Sequence, residues 1–401
     1  MTVIEELRAE TENLRERLIA TRRDLHAHPE LGFQEVRTAG IVAQRLGELG
    51  YEVQTGVVKT GVVGILDGGQ ALAPSAACKV LALRFDMDAL PIQEENDLPF
   101  RALNDGRMHA CGHDAHTSVG LAVAELLAGH RSTWAGTVKF IFQPAEENVG
   151  GALAMIADGV LNLPRPDHFL SMHVDSRKPV GTVYMTDGPM MAATDSFYIN
   201  VRGRGAHGAS PHQGADPIVA AAQIVTALQT IVARNVPPLE QAVVTVGTIR
   251  GGSAVNIIPE LVEISGTLRS YKEEITQLLR ERVRAIAEHV ALGMGVAAEV
   301  TFADTVTPAT VNDPATSAVV RNLARELVGG QNVFSDYRQM GAEDAAYFLK
   351  EMPGAYVFIG AGNVEKGIAE PHHSPRFQID EDSLPTAATL LAAGALKLLG
   401  K

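Results

Sequence analysis

The run Lys79–Phe85 (KVLALRF) constrains this chain more than any other stretch. It is apolar at consecutive positions rather than alternate ones, so a strand made from it must be covered on both faces, as in a sheet lying between helices. Thr137–Phe142 (TVKFIF) reads as a second strand, ended by Pro144, and Gly61–Leu66 is a further short apolar run. Helical patterns lie around them. Ile4–Ile19 spaces its apolar residues at helical intervals among charges, and Ser118–Ala128 is an apolar helix. Glu35–Leu49 is also helical and stops at Gly50, a residue suited to the position after a helix. Strands alternating with helices predict an α/β fold with a mainly parallel sheet flanked by helices.

The middle of the chain changes character. An alternating strand (Asp195–Val201) precedes a long helix (Asp216–Ala233), and Pro237-Pro238 interrupts the chain. Two strands (Ala242–Ile249, Leu261–Leu268), a helix (Lys272–His289) and a last strand (Val296–Phe302) follow. This β-α-β-β-α-β order is the ferredoxin-like split pattern and makes a compact domain of its own. From about Thr307 the α/β style resumes. The expected organisation is a discontinuous main domain, residues 1–186 and 305–401, interrupted by a smaller α+β domain, residues 187–304. A length of 401 residues suits two domains.

Composition narrows the function classes. A net charge of −13 argues against nucleic acid, which wants a positive face. Only Cys78 and Cys111 occur, which excludes a disulfide framework and points to a reducing compartment. No apolar run approaches the ~18 residues of a membrane span. The charged start (MTVIEELRAETENLRERL) does not read as a signal or transit peptide. The expectation is a cytoplasmic globular enzyme acting on a small molecule, with neither nucleic acid nor membrane as partner.

Chemistry is densest at Met108–His116 (MHACGHDAH), where one Cys, three His and one Asp occupy nine positions. Cys111 and His113, two apart in a glycine-containing loop before a helix, can converge on one ion. Thiolate with imidazole suits zinc and similar transition metals rather than calcium or magnesium. Without a second Cys pair it is not a standard zinc finger. A capped polar loop with an incidental Cys is the bland alternative. Gln143-Pro144-Ala145-Glu146-Glu147 directly follows a strand, where α/β sites are built. Two adjacent carboxylates on extended backbone point to opposite sides, so one can bind metal while the other serves as a general base. An isolated Glu-Glu is more often an exposed acidic turn. His173 ends another apolar run (HFLSMHV), and His372-His373 near the C-terminus could be part of a capped turn. Together these loops supply enough ligands for two metals sharing a bridge.

The strings RRDLHAHPELGFQE, RFDMDALPI, MHACGHDAHT, FQPAEE, GRGAHGASPH, GGSAVNIIPE, GTLRS and HHSPRF occur in this order. In them the chain resembles the N-acyl-amino-acid amidohydrolases of the aminoacylase and hippurate hydrolase type. These form a branch of the dinuclear metallo-exopeptidases related to carboxypeptidase G. The resemblance covers nearly the whole chain and implies a catalytic α/β domain interrupted by a lid and dimerisation domain.

The resemblance further implies a set of roles. Cys111 is the bridging ligand, where many relatives outside this branch use Asp; His113, Glu147, His173 and His373 complete the metal set, and Glu146 is the catalytic acid/base. One ion takes Cys111, His113 and His173, the other Cys111, Glu147 and His373. The cofactors are two divalent transition-metal ions per chain, zinc or manganese first, with cobalt and nickel as alternatives. Asp86, Asp88 and Asp114 become candidates for orienting imidazoles, although the His-x-Asp motif of related branches reads Asp86-Met87-Asp88 here. His207, Asn256 and Arg269 of the inserted domain bind substrate, His207 at the oxyanion and Arg269 at the substrate carboxylate. His26 and His28 are structural, Glu343-Asp344 lines the pocket, and His116, His212 and His372 take no assigned role. The implied activity is hydrolysis of N-acyl-L-amino acids by a homodimer or dimer-based oligomer. A dinuclear dipeptidase or carboxypeptidase is the alternative.

Overall fold

The buried runs form neighbouring parallel strands. In the computed structural model, which describes residues 2–71, 79–147 and 150–400, β3 (Val80–Asp86) lies beside β4 (Thr137–Gln143) with Leu83 opposite Phe140. Cys78 lies outside the described residues. Faces alternate along β3. Leu81, Leu83 and Phe85 enter a core shared with Val119 and Val123 of α3 (His113–Gly129). Ala82, Arg84 and Asp86 take the other parity, so Arg84 and Asp86 sit near enough for an ion pair of 2.8 Å.

The main sheet has eight strands. Its order runs β1 (Glu52–Val57), β2 (Gly61–Asp67), β4, β3, β5 (His168–Pro179), then Gly354–Gly362, Val183–Tyr184 and Val333–Phe334. The central strands β4, β3, β5 and Gly354–Gly362 are parallel. The β1–β2 pair and the β2–β4 junction are antiparallel, as is the pairing of Val183–Tyr184 with Gly354–Gly362. The sheet is therefore parallel at its centre and mixed at its margins. That matters for function, because loops leaving the parallel strands all emerge at their C-terminal ends.

The first helix, α1 (Val3–Ala27), outruns the expected Ile4–Ile19. A capping box between Thr2 and Glu5 starts it, and buried Arg22 and His26 carry it into the core. The second, α2 (Val36–Glu48), begins beneath the Glu30 carboxylate, which accepts the backbone N–H groups of Arg37 and Thr38.

By contacts the chain separates into two compact units, one of residues 1–190, 311–338 and 344–401, the other of residues 191–310 with 339–343. Residues 305–310 and 339–343 fall outside the inserted stretch 187–304 expected from sequence, and 187–190 belong to the first unit. The second unit has a four-stranded antiparallel sheet in the order Ala242–Gly251, Leu261–Ser270, Ala193–Arg202, Ala297–Phe302. Its core packs Phe197, Ile199, Ile264 and Leu268 against Leu279 and Val283 of the helix Glu273–Gly293. The expected helix Asp216–Ala233 is two helices, Pro217–Leu228 and Thr230–Arg234. Gln229 stays helical in backbone but its N–H bonds Thr226, three residues back, a tightening that closes the first helix.

Candidate metal centre

Each element end contributes a side chain to one place. β3 ends on Asp86 and is followed by Asp88; after β4 come Glu146 and Glu147; β5 carries His173; and α3 begins with His113. Gly112 makes the entry to α3 possible. It sits at φ +94°, and a Cβ there would lie 2.5 Å from Val174 Cγ2, so the loop carrying Cys111 passes too close to β5 for any side chain. The C-terminal loop is tied to the same point, because the His373 N–H donates to the Ala110 carbonyl at 2.8 Å.

Five of the sequence-predicted residues converge. The ligating atoms of Cys111, His113 and His173 lie within 4.8 Å of one another, and so do those of Cys111, Glu147 and His373. Cys111 is common to both sets. Cys111 Sγ is 3.4 Å from His173 Nε2, and His373 Nε2 is 3.2 Å from Glu147 Oε1. Glu146 joins His113 and Glu147 in a further group of the same spread.

Tautomers follow from the outer hydrogen bonds. His173 Nδ1 donates to the Val174 carbonyl at 2.6 Å, leaving Nε2 as a lone pair facing Cys111. His113 Nδ1 meets Asp88 Oδ1 at 3.1 Å, which turns Nε2 inward. The other oxygen of Asp88 accepts the Glu147 N–H at 3.0 Å, so one carboxylate orients two of the five. His116 is different. Its Nδ1 meets Asp86 at 2.6 Å and its Nε2 accepts the Val174 N–H at 3.1 Å, so both nitrogens are already used.

A metal fits this donor set. His113 Nε2 is buried and has no hydrogen-bond partner among the described residues, and buried Glu147 Oε1 meets His373 Nε2 at 3.2 Å, so a cation among these donors would complete a ring atom otherwise costly to bury. The field agrees. Burial alone would lower the His113 pKa, yet Asp86 and Asp88 hold it well above the usual imidazole range. The centre thus attracts positive charge. Burial and the neighbouring imidazoles His116 and His372 keep His173 well below that range, in the neutral form that ligates. Burial and Glu147 raise the Cys111 thiol, and a bound cation would reverse that by favouring the thiolate.

Not every expectation placed a residue here. Asp114 orients no ligand. It lies fully buried 2.8 Å from both Arg22 Nε and His26 Nδ1, behind α3. His26 is fully buried in the same cluster, with Glu94 at 3.2 Å. Asp344 is buried, pairs with Arg84 at 2.8 Å and accepts from Gln143 Nε2 and the Ala152 N–H. His207, Asn256 and Arg269 belong to the second unit. There His207 pairs with Ile257 in a two-stranded ribbon, and the Gly208 N–H donates to the Asn256 carbonyl at 2.8 Å. Arg269 lies on the strand Leu261–Ser270, between Val243 and Thr194. Sequence reasoning overlooked Arg84 and Gln143, whose mutual bond of 2.8 Å locks the ends of β3 and β4 under the site. The signal for Arg84 was available, since a charge inside a buried strand demands a partner.

Fold and centre together define a metal-dependent hydrolase with a parallel-sheet catalytic unit. Residues 82–397 match the model of peptidase family M20/M25/M40, and the chain belongs to that family. It is 40% identical to N-acetylcysteine deacetylase of Bacillus subtilis over 96% of this chain and 97% of that protein. It is 38% identical to thermostable carboxypeptidase 1 of Saccharolobus solfataricus over 100% of both. A solved Bacillus subtilis structure, described as a dinuclear metal-binding peptidase of the M20 family, superposes with a TM-score of 0.83. It is 36% identical over 97% of this chain and 99% of that one.

Proposed function

We propose that this chain hydrolyses the amide bond of N-acyl-L-amino acids, using divalent metal ions held by Cys111, His113, Glu147, His173 and His373. The observation that carries the reading is the pair of overlapping three-ligand groups sharing Cys111. The two similar proteins named above share one requirement. A deacetylase of an N-acetyl amino acid and a carboxypeptidase both cut an amide whose nitrogen side carries a free α-carboxylate. They differ on the acyl side, where the deacetylase takes a small acyl group and the carboxypeptidase a peptide. Acyl amino acids are the leading substrate class, and a dipeptidase or carboxypeptidase activity is the second reading, favoured by the carboxypeptidase likeness.

When bound, the ions supply Lewis-acid chemistry, polarising the substrate carbonyl and acidifying the attacking water. Zinc and manganese lead, with cobalt and nickel also compatible with sulfur, nitrogen and oxygen ligands. Cys111, His113 and His173 are assigned to one ion and Cys111, Glu147 and His373 to the other. Glu146 takes the proton of the attacking water and delivers it to the leaving amine nitrogen. His207 Nδ1 accepts the Ala209 N–H at 3.0 Å, so the neutral ring carries its proton on Nε2, the donor needed at an oxyanion. Arg269 and Asn256 hold the substrate carboxylate and its surroundings. The second unit serves as lid and dimerisation domain, and the working enzyme is a cytoplasmic homodimer or dimer-based oligomer. No helix among the described residues is long and apolar enough to cross a membrane.

The test is a panel of N-acetyl amino acids, N-benzoyl amino acids and free dipeptides on metal-reconstituted enzyme. Turnover confined to dipeptides would overturn the first reading in favour of the second.

A further inference from the structure

Ala145, directly before Glu146 and Glu147, holds a conformation that an alanine resists. It is fully buried with φ +53°, in the left-handed region where a Cβ is crowded. Such a residue persists only where its surroundings over-determine it. Its N–H donates to Glu35 Oε1 at 2.9 Å. Glu35 itself is fully buried, and its second oxygen accepts the Thr60 hydroxyl at 2.5 Å.

Helix capping does not explain this carboxylate. Glu35 stands at the start of α2, yet its side chain makes no cap bond there. That task falls to Glu30. The Glu35 side chain instead crosses to the turn between β1 and β2 and to the loop after β4. Glu147 already has its own anchor, because Asp88 holds its N–H. The peptide before Glu146 is therefore clasped separately from the ligand beside it.

We propose that Glu35 is a positioning residue for Glu146: by gripping the Ala145 N–H it fixes the left-handed turn that sets the direction of the acid/base carboxylate, while Asp88 sets that of the ligand Glu147. This rests on the reading of Glu146 as acid and base. Released, Ala145 relaxes toward an ordinary backbone conformation and Glu146 rotates off the water. Misplacement by about 1 Å can cost up to 10²-fold in rate.

The experiment compares Glu35→Ala, Glu35→Asp and Glu35→Gln with wild type and with Glu146→Gln, in zinc- and cobalt-loaded protein. Glu35→Ala is expected to lower kcat by roughly 10- to 100-fold at nearly constant KM. Its metal content and the visible spectrum of the cobalt form should match wild type. Glu35→Gln keeps an acceptor of the same reach and should recover most of kcat. Glu35→Asp keeps the charge but is one methylene short, so it should share the loss, and it serves if the alanine variant does not fold. A wild-type kcat in Glu35→Asp or Glu35→Ala overturns the proposal, as does a loss that follows metal content. Full activity in Glu146→Gln would instead overturn the underlying assignment of the base.

Discussion

His113 Nε2 and Glu147 Oε1 face each other across 4.0 Å, both buried; the ring nitrogen has no hydrogen-bond partner among the described residues, and the carboxylate oxygen has His373 Nε2 at 3.2 Å. A buried ring nitrogen left so costs stability in the absence of a cation, and a ligand that binds only the folded chain offsets it. Removing metal with a chelator should therefore abolish activity and lower Tm together. Adding zinc, manganese or cobalt should restore both, with up to two ions per chain by elemental analysis. Thiolate and imidazole must be deprotonated to bind, so affinity should weaken as pH falls. Full turnover by metal-stripped protein would refute this.

Glu146 and Glu147 are adjacent but are assigned different work. Glu146→Gln keeps size and removes the base, so kcat should fall by roughly 10²–10⁴ while metal content holds. Glu147→Ala removes a carboxylate 3.2 Å from His373 Nε2 and should release metal. Elemental analysis beside kcat separates the two, and the reverse pattern would mean that base and ligand are exchanged.

Much of this centre was legible because its residue types are poor core material. Cys111 with His113 in one dense loop draws notice, Glu146 with Glu147 gains meaning only beside it, and the strand Val80–Asp86 announces itself by continuous apolarity. What stayed hidden depends on partners distant in sequence. Asp114 sits among the ligands along the chain, yet its helical position turns it toward Arg22 and His26 of α1. Glu35 looks like a helix start, and only the fold brings it to Ala145. Arg84 reveals itself as a buried charge, but not that Asp86, Gln143 and Asp344 answer it. The division of Asp216–Ala233 into two helices leaves no mark in periodicity, since Gln229 remains helical in backbone.

The cluster of Arg22, His26 and Asp114 behind α3 predicts how stability depends on pH. Burial would raise the Asp114 carboxyl, but Arg22 and His26 hold it far below the usual carboxylate range. Its contribution is present above the unfolded value of about 4 and is lost as pH falls toward the folded one. His26 works in the opposite sense. Burial and Arg22 would lower it, yet Asp114 and Glu94 raise it above the usual imidazole value. Its share is present below about 6.5 and is lost as pH rises through the folded value. Melting curves recorded in chelator from acid to mild alkali should show both limbs. Asp114→Asn, which removes the nearer of two carboxylates from buried Arg22 and leaves it Glu381 at 3.3 Å, should cost about 3 kcal/mol, the lower end for a broken buried pair, and flatten the acid limb. An unchanged acid limb in that variant would place the dependence elsewhere.

Arg269 provides the test of how substrate is read. It lies on the strand Leu261–Ser270, half-buried, and burial lowers its pKa without removing its charge at neutral pH. Unlike Arg280, which meets Asp195 at 2.5 Å in the same unit, Arg269 has no ion pair among the described side chains. A half-buried guanidinium of that kind suits an incoming carboxylate, and a charged hydrogen bond there is worth about 1.5–3 kcal/mol. Amidating the substrate α-carboxylate should therefore lower kcat/KM of wild type by roughly 10- to 100-fold. Arg269→Ala should lose a similar amount on the free acid and almost nothing more on the amide. The four measurements form a double-mutant cycle in which one partner is the substrate, so fold damage from the mutation cancels. Equal losses on amidation in both proteins would mean that another group holds the carboxylate.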